Sequence, residues 1–280
     1  RKYPDRYTGA DRIAARLSGD PVRRADYGGS GRRALLTSSV TTVAETASTN
    51  ADVKLLVVQN GAAEGFWLRA EKQVGGVGRL GRKWQSPPGN LYCSTVVDVR
   101  PGDPAPSSLS FVTALAVHDM LRGQLSADTP VLLKWPNDIL VSDAKICGIL
   151  LERVADKVVV GIGVNIVSAP EVPDRATISL RAANAENEHD ASQILADLIP
   201  RFEKRLKQWR ISGFPSILQD WTAVAHRPGS GLSVSDPSGE KIHGEYQGVT
   251  GDGALRLRKA DGTLIVLHAG DVEMDQRAAG

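Results

Sequence analysis

Cysteine is nearly absent from this chain: among 280 residues only Cys93 and Cys147 occur. Each sits inside an apolar, strand-like run, which suits small buried hydrophobes in a reducing compartment better than a disulfide or a metal pair. The five histidines (His118, His189, His226, His243 and His268) are scattered without the spacing of a zinc site, so no metal site is expected. No apolar run approaches the roughly 18 residues of a membrane span, and no charged-then-apolar leader opens the chain. A cytoplasmic protein with no membrane partner is the expectation. Net charge is also scarce. With Lys+Arg 34 against Asp+Glu 32 the chain carries only +2, so nothing global attracts nucleic acid or an anionic surface. Any preference for anions must be local.

One stretch is built for such a preference. Gln73 to Asn90 reads Gln-Val-Gly-Gly-Val-Gly-Arg-Leu-Gly-Arg-Lys-Trp-Gln-Ser-Pro-Pro-Gly-Asn. Gly75, Gly76, Gly78 and Gly81 let the backbone approach a ligand closely, and Arg79, Arg82 and Lys83 supply cationic donors. The flanking runs, 65–70 and 91–97, are short, β-branched or aromatic, and bounded by turn residues, so they read as strands holding the loop. The string Gly76-Val-Gly-Arg-Leu-Gly81 satisfies G-x-G-x-x-G, and Asp98 stands about 20 residues on, where that fingerprint wants an acid. The fingerprint works only if a helix follows, and Pro87-Pro88-Gly89-Asn90 leaves no room for one. No Walker Gly-Lys-Ser/Thr is present either. An arginine-glycine loop that closes over an anion remains, with a plain solvated basic hairpin as the bland alternative.

The residues before this loop are less specific. The first 33 carry nine Lys and Arg against four Asp, with a short helical pattern over Asp11–Leu17 and a Gly28-Gly-Ser-Gly31 linker. With so few apolar residues, 1–35 is expected to be a poorly ordered basic extension. Val40 to Ala44 is a candidate strand, and Ser48, Thr49 and Asn50 precede a helical stretch to Gln59. Alone, those three read as an N-cap; the functional reading is a polar cluster for a small neutral ligand.

Downstream, Leu109, Val112, Leu115, Ala116 and Met120 fall at helical spacing. A second constellation follows in Val131-Leu-Leu-Lys-Trp-Pro-Asn-Asp138. A strand delivers Lys134, Pro136 forces a turn, and Asn137 and Asp138 stand where the next strand begins. Lys145 opens another strand, which pairs through Ala155-Asp156 with Val158 to Ile166. Singly these are a strand-edge lysine and an Asx turn; jointly, lysines, carboxylate and amides on successive strand ends are hard to explain as turn chemistry. Apolar spacing from Ile194 to Trp209 marks a further helix that Pro200 should kink or divide. From Leu232 onward, alternating runs joined by Asp252-Gly253 and Asp261-Gly262 describe a small β-barrel.

Ser48-Thr-Asn50, Gln73 with Gly76-Val-Gly-Arg-Leu-Gly-Arg-Lys-Trp84, Lys134-Trp-Pro-Asn-Asp138, Lys145 with Gly148, and Gly161-Ile-Gly-Val-Asn165 occur in the order seen in biotin protein ligases. The chain resembles that family over roughly residues 36 to 275. The resemblance implies an α+β fold: a mixed, largely antiparallel sheet with covering helices, class II synthetase-like, in a catalytic biotin/ATP domain over 36–224, and a small C-terminal β-barrel over 225–280. It implies an ATP-dependent ligase that forms biotinyl-5'-AMP and passes biotin to a lysine of a biotin carboxyl carrier domain, with ATP and magnesium as its needs. Biotin would be bound by Ser48, Thr49, Asn50, Gln73, Val77, Gly78, Arg79, Trp84 and Lys145, and ATP by Arg79, Arg82, Lys134, Asn137, Lys145 and Asn165. Catalysis would rest on Arg79, Lys145 and Asp138, the last either orienting and deprotonating the incoming lysine, which is favoured, or holding the first-step ligands. Family loops usually read Gly-Arg-Gly-Arg; here Val77 replaces the first arginine, and that position is expected to act through its backbone. Some members carry a winged helix and bind operators, but the residues before Ser48 do not support one, so no specific DNA binding is expected. A lipoate ligase and a non-catalytic cofactor-binding module are the rival readings.

Overall fold

The computed structural model describes residues 38–173, 175–183, 190–235 and 240–274. The basic extension, including the helical pattern at Asp11–Leu17 and the Gly28–Gly31 linker, lies outside them. In chain order the elements are β1 (Ser39–Thr46), α1 (Thr49–Val58), β2 (Phe66–Gln73), β3 (Leu91–Asp98), α2 (Leu109–Gln124), β4 (Val131–Lys134), β5 (Asp138–Val141), β6 (Ala144–Val154) and β7 (Lys157–Val164). Then come α3 (Leu180–Ala183), α4 (Ala191–Ala223), β8 (Gly231–Ser235), β9 (Lys241–Val249), β10 (Leu255–Arg258), β11 (Leu264–Leu267) and β12 (Asp271–Met274). The fold is α+β, and its strand pairing is mixed but largely antiparallel. The residues divide into two compact units.

The first unit takes the chain to Pro101, then Ile149–Pro170 and Ser179–Leu195. Its strands run β1-β2-β3-β7, followed by the second half of β6. β1 and β2 are parallel, as they must be when α1 is the crossover between them. β2 and β3 are antiparallel, Trp67 opposite Thr95 and Ala70 opposite Tyr92. That pairing removes the dinucleotide reading of the Gly76–Gly81 string on geometric grounds, because a βαβ unit needs parallel strands and a helix. Only a single 3-10 turn, Arg79–Gly81, interrupts the connection. The inward face of α1 presents Val53, Leu56 and Val57 to Leu68, Val96 and Val159, with Val43, Phe66 and Val154 around them. Each such side chain, fully buried, contributes about 1.5–3 kcal/mol.

The second unit takes Gly102–Gly148, Glu171–Ile178 and the chain from Ala196. Here the first half of β6 pairs with β5 and β5 with β4, in antiparallel hairpins. α2 is buried along most of its length, and Phe111 on it packs edge-on to Phe214 (5.2 Å) and against Trp221 (5.0 Å). β8 to β12 form a five-stranded antiparallel sheet in the order β11-β10-β9-β8-β12, the C-terminal element expected as a small barrel. It is tied to the rest of this unit by Gly253. A Cβ there would lie 3.0 Å from the Phe111 ring, and its carbonyl accepts from Trp135 Nε1 at 2.9 Å.

The helix expected to kink or divide at Pro200 is not divided there. Within α4, Pro200 keeps helical geometry, and the chain leaves it at Gly213 (φ 75°, ψ 175°). A proline removes one backbone donor and bends a helix without ending it when packing holds both sides. A positive φ is glycine's own property, so the break falls there. Leu195, Leu198, Phe202 and Trp209 on this helix are buried, as their spacing implied.

Candidate functional site

In the first unit the polar cluster begins with Ser48, which caps α1: its Oγ accepts from Ala51 N at 3.4 Å. Capping turns the next two residues into the helix N-terminus, and they point inward, Thr49 and Asn50 being 4% and 5% exposed. Gln73, at the end of β2, meets them: its Oε1 accepts from Thr49 N at 2.8 Å and lies 3.2 Å from Thr49 Oγ1. Gln73 Nε2 donates to Ser86 Oγ at 3.2 Å. Ser94, in the middle of β3 and fully buried, lies 2.7 Å from Thr49 Oγ1 and 2.6 Å from Asn50 Oδ1. Asn50 Nδ2 donates to Glu152 Oε2 at 2.8 Å, and the other oxygen of Glu152 pairs with Lys54. Thus Ser48, Thr49, Asn50 and Gln73 are brought together. The sequence reading missed Ser94 and Glu152.

Two glycines of β7 make this possible. Gly161 pairs opposite Ser94, and a Cβ on it would stand 2.3 Å from Asn50 Oδ1. A Cβ on Gly163 would stand 2.7 Å from the Trp84 ring. Glycine within a strand is the mark of such close approach. The Trp84 ring therefore lies close against the β7 backbone at Gly163. Asn165, next along, is buried, and its carbonyl accepts from Leu180 N at 2.9 Å.

The arginine-glycine loop is a closed tongue. Gly78 N donates to Arg82 O at 2.7 Å, Trp84 N to Gly76 O at 2.9 Å, and Val77 bridges to Lys83. Its base is fixed by Gly75 N donating to Ala47 O at 2.8 Å. Its tip turns at Leu80 (φ 57°) and Gly81 (φ 72°). Arg82 and Lys83 are exposed, Gly78 and Arg79 half-buried. The Val77 side chain is 49% exposed, so what this position gives to the tongue is backbone.

In the second unit the charged residues converge. Lys134 ends β4 and stands opposite Asp138, the first residue of β5; Asn137, in the turn before it, is half-buried. Lys145 Nζ donates to Asp138 Oδ1 at 2.6 Å, and Lys134 Nζ lies 3.9 Å from Asp138 Oδ2. The side chains of Lys134 and Asp138 are 11% and 8% exposed. Lys145 itself is held from behind, its N–H donating to Ala176 O at 2.9 Å and its carbonyl accepting from Ile178 N at 3.0 Å. Burial, reinforced by Lys145 and Arg175 and in part opposed by Asp138 and Asp271, holds the Lys134 amine below the usual lysine range. Two ammonium groups held beside one carboxylate give this end of the strands fixed cationic donors for an arriving anion. At an effective dielectric of about 20, an ion pair at 4 Å is worth about 4 kcal/mol.

Other relevant groups are inert. The Cys93 thiol is pushed up to about 12, by burial first, which removes it as a nucleophile. Among the described residues there is no group of three or more His, Cys, Asp or Glu side chains that could hold a metal, and no helix is long and apolar enough to cross a membrane.

Residues 43–166 of the chain match the biotin/lipoate A/B protein ligase family, and residues 233–275 the biotin protein ligase C terminal domain. It is 35% identical over 234 residues to the biotin–[acetyl-CoA-carboxylase] ligase of Paracoccus denitrificans, covering 80% of this chain and 96% of that one. It is 34% identical over 236 residues to the protein of the same name from Mycobacterium tuberculosis, covering 82% and 86%. Among solved structures it resembles the biotin protein ligase from Aquifex aeolicus in complex with biotin and ATP, with a TM-score of 0.73, 26% identity, and coverage of 84% and 98%.

Proposed function

Since this chain belongs to the biotin protein ligase family, we propose that it is an ATP-dependent ligase that activates biotin as biotinyl-5'-AMP and transfers it to a lysine of a biotin carboxyl carrier domain. A carboxylate oxygen of biotin attacks the α-phosphorus of ATP and pyrophosphate leaves. The lysine amine then attacks the acyl carbon of the mixed anhydride and AMP leaves. The observation that supports this most is the pairing of Thr49 with Gln73 behind an arginine-bearing tongue. It offers uncharged hydrogen-bonding groups at one place and guanidinium at another, which is what an acid with a neutral, polar ring requires.

In this reading Ser48, Thr49, Asn50 and Gln73 bind the ureido ring, Val77 and Gly78 contribute backbone, and Trp84 is the apolar wall. Arg79 and Lys145 stabilise negative charge as carboxylate meets polyphosphate, the term that dominates reactions between anions. Arg82, Lys134, Asn137 and Asn165 contact the nucleotide. Asp138, which already accepts a hydrogen bond from the Lys145 ammonium at 2.6 Å, receives the acceptor lysine in the second step and helps deprotonate it. Magnesium enters as part of the substrate on the ATP phosphates, which need only one or two protein carboxylates; no step is assigned to it. Residues 36–224 are taken as the catalytic domain and 225–280 as an accessory one. The reaction is placed in the cytoplasm, where buried thiols outside any disulfide, such as Cys93 and Cys147, are kept reduced.

ATP–pyrophosphate exchange with biotin or lipoate as the acid tests the proposal. Biotin should drive exchange and lipoate should not. Exchange driven by lipoate, or ligand binding without exchange, would overturn it.

A further inference from the structure

We propose that Glu152 is a positioning residue that fixes the direction of a hydroxyl chain ending at Thr49, so that Thr49 accepts a hydrogen bond from the ligand and selects an acid whose ring carries an N–H. The inference rests on biotin being the ligand. A carboxylate only accepts, so the 2.8 Å contact between Glu152 Oε2 and Asn50 obliges Asn50 to present its NH2 there. Lys54, on the other oxygen, only donates and cannot reverse this. The carboxamide oxygen of Asn50 is thereby turned to Ser94, 2.6 Å away. Two acceptors do not approach that closely, so the single proton of Ser94 points at Asn50.

The next contact, 2.7 Å between Ser94 Oγ and Thr49 Oγ1, must then be held by the proton of Thr49. Gln73 Oε1 is already supplied by Thr49 N at 2.8 Å. The lone pairs of Thr49 Oγ1 are what this chain of bonds presents to a ligand. A ureido ring offers two N–H groups, whereas the dithiolane ring of lipoate offers none. The order is rigid because Ser94 is fully buried and because Gly161, lacking a Cβ, leaves just enough room for the Asn50 carboxamide. Glu152 touches no reacting atom in this scheme and acts through Asn50 and Ser94.

The test uses the full chain, with biotin and its two analogues methylated at either ureido nitrogen as probes, read by calorimetric Kd and by exchange kinetics. In Glu152→Gln the near partner of Asn50 can donate, and only the long 3.5 Å contact of Asn50 Nδ2 with Leu150 O still favours the original orientation, so the carboxamide can turn over and the chain reverse. The biotin Kd should rise about 10-fold, the scale of one hydrogen bond, with kcat at saturating biotin within about twofold. For one of the two analogues, methylation should cost the unaltered chain about 10-fold and the variant no more than about twofold. Lys54→Met, which removes the ion pair and keeps the acceptor, should stay within about twofold throughout. Ser94→Ala, which removes the acceptor for the Thr49 proton, should repeat the loss of discrimination and carries the test if Glu152→Gln does not fold. Methylation penalties unchanged in the folded variants would overturn the inference and leave the biotin reading intact. Absence of biotin-dependent exchange in the unaltered chain would instead sink the biotin reading, and the inference with it.

Discussion

The two clusters of candidate residues differ in kind. Around Thr49 the groups in contact are hydroxyls and carboxamides, and the charges joined to them among the described residues, Glu152 and Lys54, neutralise each other at the far end. Around Asp138 the groups are ionic, two lysines to one carboxylate. A neutral network discriminates by geometry: a ligand with a donor out of place leaves a buried group unsatisfied. An ionic cluster discriminates little and stabilises much. The first suits recognition of one ring system, the second a step in which negative charges must be brought together.

Mutation should break that contrast first at the ionic cluster. Lys145→Met should slow biotin-dependent exchange by about 100- to 1000-fold, about 3–4 kcal/mol of lost charge stabilisation, measured at saturating biotin and ATP. On the neutral side, Gly161→Ala should cost about 1–3 kcal/mol of folding stability by forcing Asn50 aside, seen by thermal unfolding, and should raise the biotin Kd with it. Gly81→Ala should change biotin affinity more than it changes the melting temperature, because no atom crowds that site and only its positive φ is lost. Thr49→Val should raise the biotin Kd about 10-fold with a smaller effect on kcat. The smallest effect is assigned to Val77→Arg, whose Kd for biotin should stay within about threefold; much tighter binding would show that the guanidinium of other family members matters here.

A titration sharpens the same contrast without a ligand. His226 is held below the ordinary histidine range, by burial first and by the charge of Lys134 next. The unfolded chain therefore takes up a proton near pH 6.5 that the folded chain refuses. Stability should fall as pH drops below about 6.5 toward the folded value, and rise as pH increases through that window. His226→Gln should flatten this slope, measured by urea unfolding at a series of pH values.

The local placement of much of the candidate site was legible because local chemistry demanded it. A glycine-arginine run between two strands, a Pro-Asn-Asp turn after a lysine-bearing strand, and a Ser-Thr-Asn cap are each short in sequence, and the structure sets them at strand ends and a helix start as read. Ser94 and Glu152 were not legible. Ser94 lies in a run that reads as an apolar strand, and Glu152 as an ordinary strand-end charge; their partner Asn50 is 44 and 102 residues away. The available signal was Gly161, a glycine inside a strand of valines and isoleucines, which announces that something approaches the backbone. The break of α4 at Gly213 was not read from the sequence, and Pro200, expected to kink or divide the helix, does not divide it; propensity is local, whereas the packing that lets a helix carry a proline is not. The parallel pairing of β1 with β2 follows from α1 crossing between them.

Single-turnover formation of biotinyl-5'-AMP by Arg79→Gln/Lys145→Met, with biotin and ATP both saturating, bears most directly on the claim that fixed positive charge lets two anions react. Slowing by at least about 1000-fold relative to the unaltered chain is the predicted result. Formation at the unaltered rate would contradict it.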